Sequence, residues 1–180
     1  MFPIKWLVLT GLFILFAFAP AKAQLSMDAL ESAYYKISSV ALPEDVILEA
    51  GGLAFNEKGQ LAVCTRRGEV WLIDQPNSAN PKFTRFAHGL HEPLGLAYKD
   101  GSFYTAQRGE LTRLTDKNGD GKADEYRTIY AWDLVGNYHE YSYGPVFLPD
   151  GNMLVTLNLG WIGRGASLSK WRGWMLMFRQ

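Results

Sequence analysis

Three segments of the chain repeat one pattern, and this repeat constrains the fold more than any other feature. Each segment begins at a glycine and contains a short apolar strand, a polar turn with a second glycine at its corner, and another apolar strand. The segments are residues 52–63, 95–105 and 144–156. Glycine supplies the positive φ that a tight hairpin turn needs, and the flanking apolar residues favour strands. The pattern therefore predicts three similar β-hairpins. Residues 46–48 are also predicted to form a strand, and Trp174 is expected in a blade core.

The spacing of the repeats indicates how the hairpins are organised. Their first glycines, Gly52, Gly95 and Gly144, are separated by 43 and then 49 residues. The Arg-Gly-Glu triplet that follows the first two hairpins (67–69 and 108–110) extends the repeat into a third strand. Hairpin repeats of about 40–50 residues are typical of β-propeller blades. A β-sandwich is the alternative, but its turns come about every 8–12 residues without a longer register. We therefore predict an all-β fold of the β-propeller type.

The N-terminal residues 1–23 have the features of a signal peptide. Lys5 provides a positive charge, residues 6–18 are apolar, and residues 21–23 read Ala-Lys-Ala, a small-x-small cleavage site. The apolar run is shorter than the roughly 20 residues that span a bilayer, and no stop-transfer pattern follows it, which argues against a signal anchor. We predict a periplasmic or secreted protein, with residues 24–180 as propeller and no transmembrane segment after cleavage.

The composition argues against several classes of partner. The whole chain has 18 basic and 18 acidic side chains, and removal of the leader leaves a small acidic excess. Nothing in this balance indicates nucleic acid or an anionic membrane as partner. Cys64, the only cysteine in the sequence, falls in a predicted strand, so we expect a buried thiol and no internal disulfide.

The length of the chain bears on how many blades it holds. At about 45 residues a blade, residues 24–180 provide about three to four blades, whereas closed propellers usually have four to eight. We expect this chain to be the N-terminal part of a longer propeller. The alternative is that the ring closes by assembly with other chains, since open blade faces would otherwise be exposed.

An acidic loop contains the sharpest local motif. Oxygen-bearing side chains recur at Asp116, Asn118, Asp120 and Asp124, with Gly121 at the sharp reversal. A hard cation such as calcium takes six to eight oxygen ligands, and alternate residues of a tight loop converge on one point. These four side chains are predicted metal ligands. A solvated hairpin turn is the alternative, because Asp, Asn and Gly are all good turn formers.

Charged and aromatic side chains precede the third hairpin. His139 is the candidate catalytic residue, because a neutral imidazole accepts a proton from a hydroxyl near pH 7 and Asp133 or Glu140 is placed to orient it. Arg66, Arg67 and Arg108 recur at equivalent positions of their blades, so they either line one face of the propeller or lie on exposed turns.

The sequence around His139 carries a family resemblance. Asn-x-His, followed by Gly-Pro and the hairpin sequence Asp-Gly-Asn-x-Leu-Val-Thr (residues 150–156), resembles the soluble quinoprotein glucose/sorbosone dehydrogenases. A longer resemblance, over about residues 34–178, is to the "membrane-bound dehydrogenase domain" proteins, which are often fused to cytochrome c. It includes residues 88–95, His-Gly-Leu-His-Glu-Pro-Leu-Gly, and residues 168–174, Leu-Ser-Lys-Trp-Arg-Gly-Trp.

The resemblance implies a fold and an activity. It implies a six-bladed propeller that oxidises a sugar or related alcohol, with His139 as the base on the hydroxyl, pyrroloquinoline quinone (PQQ) as cofactor and calcium assisting the site or the scaffold. A cytochrome c is the implied electron acceptor. The cofactor-binding residues of the family lie in later blades, so we expect this chain alone to be inactive. Two alternatives stay open: a non-catalytic propeller that binds a carbohydrate or a protein, and a calcium-dependent lactonase-like hydrolase.

Overall fold

The computed structural model describes residues 27–134, 139–159 and 170–179. The chain divides into two compact units, residues 1–38 and residues 39–180. The described part of the first unit contains one short helix, α1 (Met27–Glu31), which agrees with its early acidic residue Asp28 at the helix start. The predicted signal peptide lies outside the described residues.

The second unit consists of antiparallel sheets formed by consecutive strands, which we call blades 1 to 3. Blade 1 contains β1 (Ala50–Phe55), β2 (Leu61–Thr65), β3 (Glu69–Asp74) and β4 (Lys82–Ala87). Blade 2 contains β5 (Ala97–Lys99), β6 (Ser102–Ala106), β7 (Glu110–Thr115) and β8 (Glu125–Ala131). Blade 3 contains β9 (Ser142–Phe147), β10 (Met153–Leu157) and β11 (Met175–Phe178). This order of meandering sheets confirms the predicted propeller fold, present in part.

The three predicted hairpins are the first two strands of each blade. Their corner residues Gly59, Gly101 and Gly151 have φ values of 74°, 77° and 86°. An L-residue adopts this left-handed region only at a cost, so the sequence pattern places glycine where the backbone requires it. The third strands of blades 1 and 2 also begin where the repeated Arg-Gly-Glu triplet predicts.

Two apolar cores lie between successive blades. The first core joins blades 1 and 2, and the second joins blades 2 and 3. The first contains Cys64, Val70, Leu72, Leu96, Phe103 and Leu114, and the second contains Tyr104, Leu111, Trp132, Met153, Val155 and Leu157. Because alternate residues of a strand point to opposite faces, blade 2 supplies side chains to both cores.

Cys64 lies in the first core, as predicted for a buried thiol. Its Sγ is 3.5 Å from the carbonyl oxygen of Pro93, and burial raises its pKa to about 11. Because only the thiolate is nucleophilic, we expect alkylation by iodoacetamide at pH 8 to be at least about 100-fold slower in the folded protein than in denaturant. Mass spectrometry against time measures both rates. Equal rates would contradict the burial of this thiol.

The repeat glycines bring the first strands of neighbouring blades into main-chain contact. A Cβ added at Gly52 would lie 2.5 Å from Gly95 Cα, and one added at Gly95 would lie 2.5 Å from the carbonyl oxygen of Gly144. Gly95 and Gly144 also have positive φ, 119° and 118°. We call Gly52, Gly95 and Gly144 the glycine ladder. It explains why each repeat begins with glycine, which the hairpin turns alone do not require.

Three details differ from the sequence-based expectations. Residues 46–48 form no strand, although Val46 is buried. Trp174, expected in a blade core, has 61% of its surface exposed and packs edge-on against Trp171. The outer strands β4 and β8 were not predicted, because their charged residues interrupt the apolar pattern.

The order of the strands fixes two ends of the blades. In a four-stranded antiparallel meander, the turns β1–β2 and β3–β4 lie at one end of the sheet, and β2–β3 and the link to the next blade lie at the other. We call these the hairpin end and the connection end. The acidic loop joins β7 to β8 and lies at the hairpin end, whereas His139 is in the link from β8 to β9 and lies at the connection end.

Candidate functional site

A cluster of charged and aromatic side chains occupies the connection end. Arg66 follows β2, Glu92 lies in the link from β4 to β5, Arg108 follows β6 and Tyr141 immediately precedes β9. Segments that are far apart in the sequence therefore meet at this end because all of them leave the blades in the same direction. We call these four residues the connection-end cluster.

Glu92 holds the two arginines of the cluster together. Its Oε1 is 3.2 Å from Arg66 Nε, and its Oε2 is 3.2 Å from Arg108 Nη1. Arg66 also donates a 3.0 Å hydrogen bond from Nη2 to the Tyr141 hydroxyl. Both guanidinium carbons lie 5.7 Å from the centre of the Tyr141 ring, within cation–π range. The carboxylate and the ring together offset the repulsion between the two cations.

The two arginines differ in exposure. The Arg66 side chain is 52% exposed, whereas the Arg108 side chain is 11% exposed and its Nε donates to the carbonyl oxygen of Glu140. Tyr141 and then Glu92 raise the pKa of Arg66 further above its ordinary value. Arg66 is therefore a fixed positive charge that remains accessible, and Arg108 is mainly structural.

A buried ion pair lies next to the cluster. The side chains of Arg172 and Glu140 are both fully buried, and Arg172 Nε is 3.6 Å from Glu140 Oε2. Within the described ranges, neither carboxylate oxygen of Glu140 accepts a hydrogen bond. The Coulomb attraction to Arg172 is therefore the main compensation for the lost hydration of the Glu140 carboxylate.

Arg172 also connects three segments of the connection end. Its Nη1 donates to the carbonyl oxygen of Tyr141 at 3.0 Å, and its Nη2 donates to those of Arg108 at 3.3 Å and Asp133 at 3.4 Å. Burial lowers the pKa of Arg172, attraction to Glu140 raises it, and repulsion from Arg108 lowers it. One guanidinium thus fixes the ends of β6, β8 and the segment that carries His139.

His139 is half-buried and its backbone is fixed from β10. Asn158, the residue after β10, donates from Nδ2 to the carbonyl oxygen of His139 at 2.8 Å. Its Oδ1 accepts a 2.7 Å hydrogen bond from the backbone N–H of Tyr141. The Asn158 side chain therefore fixes the backbone on both sides of Glu140. Residues 135–138, which include the Asn of the Asn-x-His motif, lie outside the described residues.

The predicted metal ligands lie at the opposite end and hydrogen-bond to their own loop. Asp116 accepts from the N–H groups of Gly119 at 2.7 Å and Gly121 at 2.8 Å, and these bonds outweigh its burial and lower its pKa. Asn118 Nδ2 is 3.3 Å from Asp120 Oδ2 and 3.4 Å from Asp124 Oδ1. In the described part of the chain, no three His, Cys, Asp or Glu side chains are arranged as metal ligands.

A cleft opens at the hairpin end between blades 1 and 2. It has a volume of about 400 Å³. Its floor is aromatic and aliphatic, and its rim carries amides and charges of both signs. The lining includes Leu72, Phe86, Tyr98 and Phe103 below, and Asn56, Glu57, Lys58, Gln60 and Asn118 above. The cleft shares the acidic loop as one wall and is separate from His139.

The sequence-based candidates at this end are His139, Arg66 and Arg108, whereas Glu92, Tyr141, Arg172 and Asn158 were not predicted. Asn158 could have been found from the repeat, because it follows the second strand of blade 3 as Arg66 follows that of blade 1. Arg172 gave no such signal, because its hydrogen bonds are all to backbone carbonyls of distant segments.

The succession of antiparallel meander sheets defines the chain as part of a β-propeller. No family model and no curated protein matches the sequence. Solved structures do match. One is an oxidoreductase (glucose dehydrogenase) from Thermus thermophilus, with 19% identity and a TM-score of 0.59 over 73% of this chain and 44% of that chain.

Another match is the PQQ-bound form of an aldose sugar dehydrogenase from Streptomyces coelicolor. It has 15% identity and a TM-score of 0.53 over 64% of this chain and 39% of that chain. The chain therefore spans less than half the length of either neighbour. These matches confirm the propeller fold that the family resemblance implied. The structural neighbours of this chain are sugar dehydrogenase propellers. Among the described residues, no helix is long and apolar enough to cross a membrane.

Proposed function

We propose that this chain is part of an exported quinoprotein-type oxidoreductase that oxidises a sugar or related alcohol. The observation that carries the proposal is the connection end, where Asn158 and Arg172 fix the backbone on both sides of Glu140, next to His139. The propeller fold is shared with the two sugar dehydrogenases. We further propose that residues 1–23 direct export to the periplasm or outside the cell, and that a cytochrome c accepts the electrons.

His139 acts in this proposal as the base. Its imidazole would accept the hydroxyl proton of the substrate as an alcohol is oxidised to a carbonyl, or a sugar hemiacetal to a lactone. PQQ, when bound, supplies the two-electron acceptor. Of the described residues, Arg66 best fits a carboxylate-bearing cofactor, because its guanidinium is half exposed at the same end. Its charge would hold and orient that carboxylate.

The test is dye reduction with a panel of aldoses and added PQQ and calcium. We expect no turnover from this chain alone. In a natural polypeptide that also carries the remaining blades, we expect activity that falls by at least about 100-fold in His139→Ala. His88→Ala is the matched control, since His88 also lies at the connection end. Its backbone N–H, which the substitution keeps, donates a hydrogen bond to the Tyr126 hydroxyl. Full activity in His139→Ala would exclude this mechanism.

The second candidate function is a non-catalytic propeller that binds a carbohydrate or a protein. The cleft at the hairpin end favours it, because an aromatic floor with amide and charged groups at the rim is a common arrangement for sugar binding. Glycan binding without dye reduction, unchanged in His139→Ala, would support this function over the oxidoreductase.

We also propose that the acidic loop binds calcium through Asp116, Asn118, Asp120 and Asp124. The convergence of the last three side chains supports this, and an ion here would stiffen the turn between β7 and β8. Because the loop is at the hairpin end, the ion would have a structural role rather than act on the substrate at His139.

Calorimetric titration with calcium tests the loop. We expect binding heat in the wild type and its loss in Asp120→Ala, because the variant removes a charged ligand. Asp150→Ala is the control, since Asp150 also accepts from a nearby backbone N–H in an exposed turn, and among the described residues it belongs to no cluster of potential metal ligands. Identical heats in wild type and Asp120→Ala would show that the loop is only a turn.

A further inference from the structure

The segment before β11 carries a tryptophan side chain that faces solvent. Trp174 directly precedes β11, and 61% of its surface is exposed. Its carbonyl oxygen accepts a 3.0 Å hydrogen bond from the N–H of Leu157, the last residue of β10. Because β10 ends at the connection end, Trp174 lies at the same end of the blades as His139. An exposed side chain of this size forgoes the stabilisation of burial, which a ligand that covers it would recover.

The backbone that carries Trp174 is held firmly. Its N–H donates to the carbonyl oxygen of Trp171 at 3.1 Å. Between these two residues, the fully buried side chain of Arg172 donates to the carbonyl oxygens of Asp133 and Tyr141, near the two ends of the link between β8 and β9. Trp171 has a φ of 74°, which a bulky residue keeps only where its surroundings impose it. A side chain on such a backbone loses little freedom when a ligand binds.

The direction of the Trp174 side chain separates it from the outer face of blade 3. Trp174 is two residues before Leu176, whose side chain packs against the core between blades 2 and 3. Alternation along the strand therefore places Trp174 on the side of blade 2, and Met175 on the opposite face. The ring of Trp171, which packs against the same core, supports Trp174 edge-on at a centroid distance of 5.9 Å. A blade packed on the outer face of blade 3 would cover Met175 and leave Trp174 exposed.

The surroundings of Trp174 indicate a ligand that has both apolar and polar surface. Leu159, which is 55% exposed, packs over Gly173 and extends the apolar surface. The exposed side chains of Asp133 and Lys170 add a charge of each sign at the same end. A sugar ring matches this combination, because its faces present C–H groups and its edge presents hydroxyls.

We propose that Trp174 binds one C–H face of a pyranose ring and thereby gives the connection end a preference for ring sugars over open-chain polyols. The inference rests on the proposed function, in which a sugar is oxidised at His139, and it assigns Trp174 a part in specificity rather than in proton transfer. The contact area on the aromatic face is lost when the sugar ring is absent, whereas the hydroxyl groups are retained.

Calorimetric titration of the natural polypeptide that carries this chain tests the proposal. The probe is methyl β-D-glucopyranoside, with and without PQQ and calcium, because its blocked anomeric carbon allows binding to be measured without oxidation at that carbon. We expect Trp174→Ala to weaken binding by at least about tenfold and Trp174→Phe to retain most of it. Met175→Ala is the matched control, because Met175 is also 61% exposed and lies on the opposite face, and we expect unchanged affinity. Sorbitol, which has hydroxyls but no ring, is expected to bind at least about tenfold more weakly than the glucoside.

Saturation-transfer NMR on the wild type tests the stacking even if Trp174→Ala impairs folding. We expect the C–H protons of one ring face to receive most of the saturation. Uniform saturation, equal affinities of wild type and Trp174→Ala, equal binding of sorbitol, or no glucoside binding by the wild type would overturn the proposal. Binding that depends on Trp174 in a protein whose dye reduction is unaffected by His139→Ala would overturn the oxidoreductase mechanism alone.

The converse result separates the two proposals from the other side. Dye reduction that requires His139, together with glucoside affinity that is the same in Trp174→Ala, would overturn only the role of Trp174.

Discussion

Gly95→Ala is expected to unfold the protein or to lower its free energy of unfolding by more than about 4 kcal/mol. The new Cβ would lie 2.5 Å from the carbonyl oxygen and 2.6 Å from the nitrogen of Gly144. Both atoms belong to main chain that is held between two blades, so neither can move without separating the sheets. The residue would in addition keep a φ of 119°, which alanine rarely adopts. Urea unfolding followed by circular dichroism measures the change.

Gly59→Ala is the matched control for this substitution. Gly59 also has a positive φ, 74°, but a Cβ there would have no atom within 4 Å. We expect a loss of only about 1–2 kcal/mol, the usual penalty for the left-handed conformation. Comparable losses in the two variants would show that conformational preference, rather than contact between blades, determines the need for glycine.

Arg172→Met is expected to lower the free energy of unfolding by about 3–5 kcal/mol, because it leaves the Glu140 carboxylate buried without a compensating charge. The variant also removes the three hydrogen bonds to the carbonyl oxygens of Tyr141, Arg108 and Asp133. Addition of Glu140→Gln to this variant is expected to restore part of the loss, since the amide carries no charge. Urea unfolding of the single and double variants measures both effects.

Arg85→Met provides the comparison for an exposed ion pair. Arg85 Nη1 is 3.3 Å from Glu69 Oε1, but its side chain is 52% exposed. Solvent screens such pairs, so we expect a change below about 1 kcal/mol. If Arg172→Met were as mild as Arg85→Met, the pair between Arg172 and Glu140 would not organise the connection end.

The parts of the fold that the sequence predicted are those determined by local geometry. The hairpins follow from alternating apolar residues and from glycines at corners that need positive φ, so all three were predicted. The outer strands β4 (KFTRFA) and β8 (EYRTIYA) carry charged residues at positions open to solvent, and their apolar signal is correspondingly weak. Residues 46–48 are apolar and β-branched at two positions, yet they form no strand.

The sequence predicted residues of the candidate site only where they recur at equivalent positions of successive blades. Arg66 and Arg108 recur near the ends of second strands, and this recurrence alone indicates that they share one end of the blades. The partners of Arg172 are 31 to 64 residues distant in the sequence, and its hydrogen bonds are to main-chain oxygens that every residue possesses. Only the packing of the blades brings them together, so no pattern of side chains could reveal them.

The glycine ladder is a close main-chain contact that has the same form between blades 1 and 2 as between blades 2 and 3. At this contact no side chain takes part, so main chain meets main chain in each pair of neighbouring blades. The differences among the blades therefore lie in the side chains of the apolar cores and in the links at the blade ends, and the links carry the charged groups of the connection end.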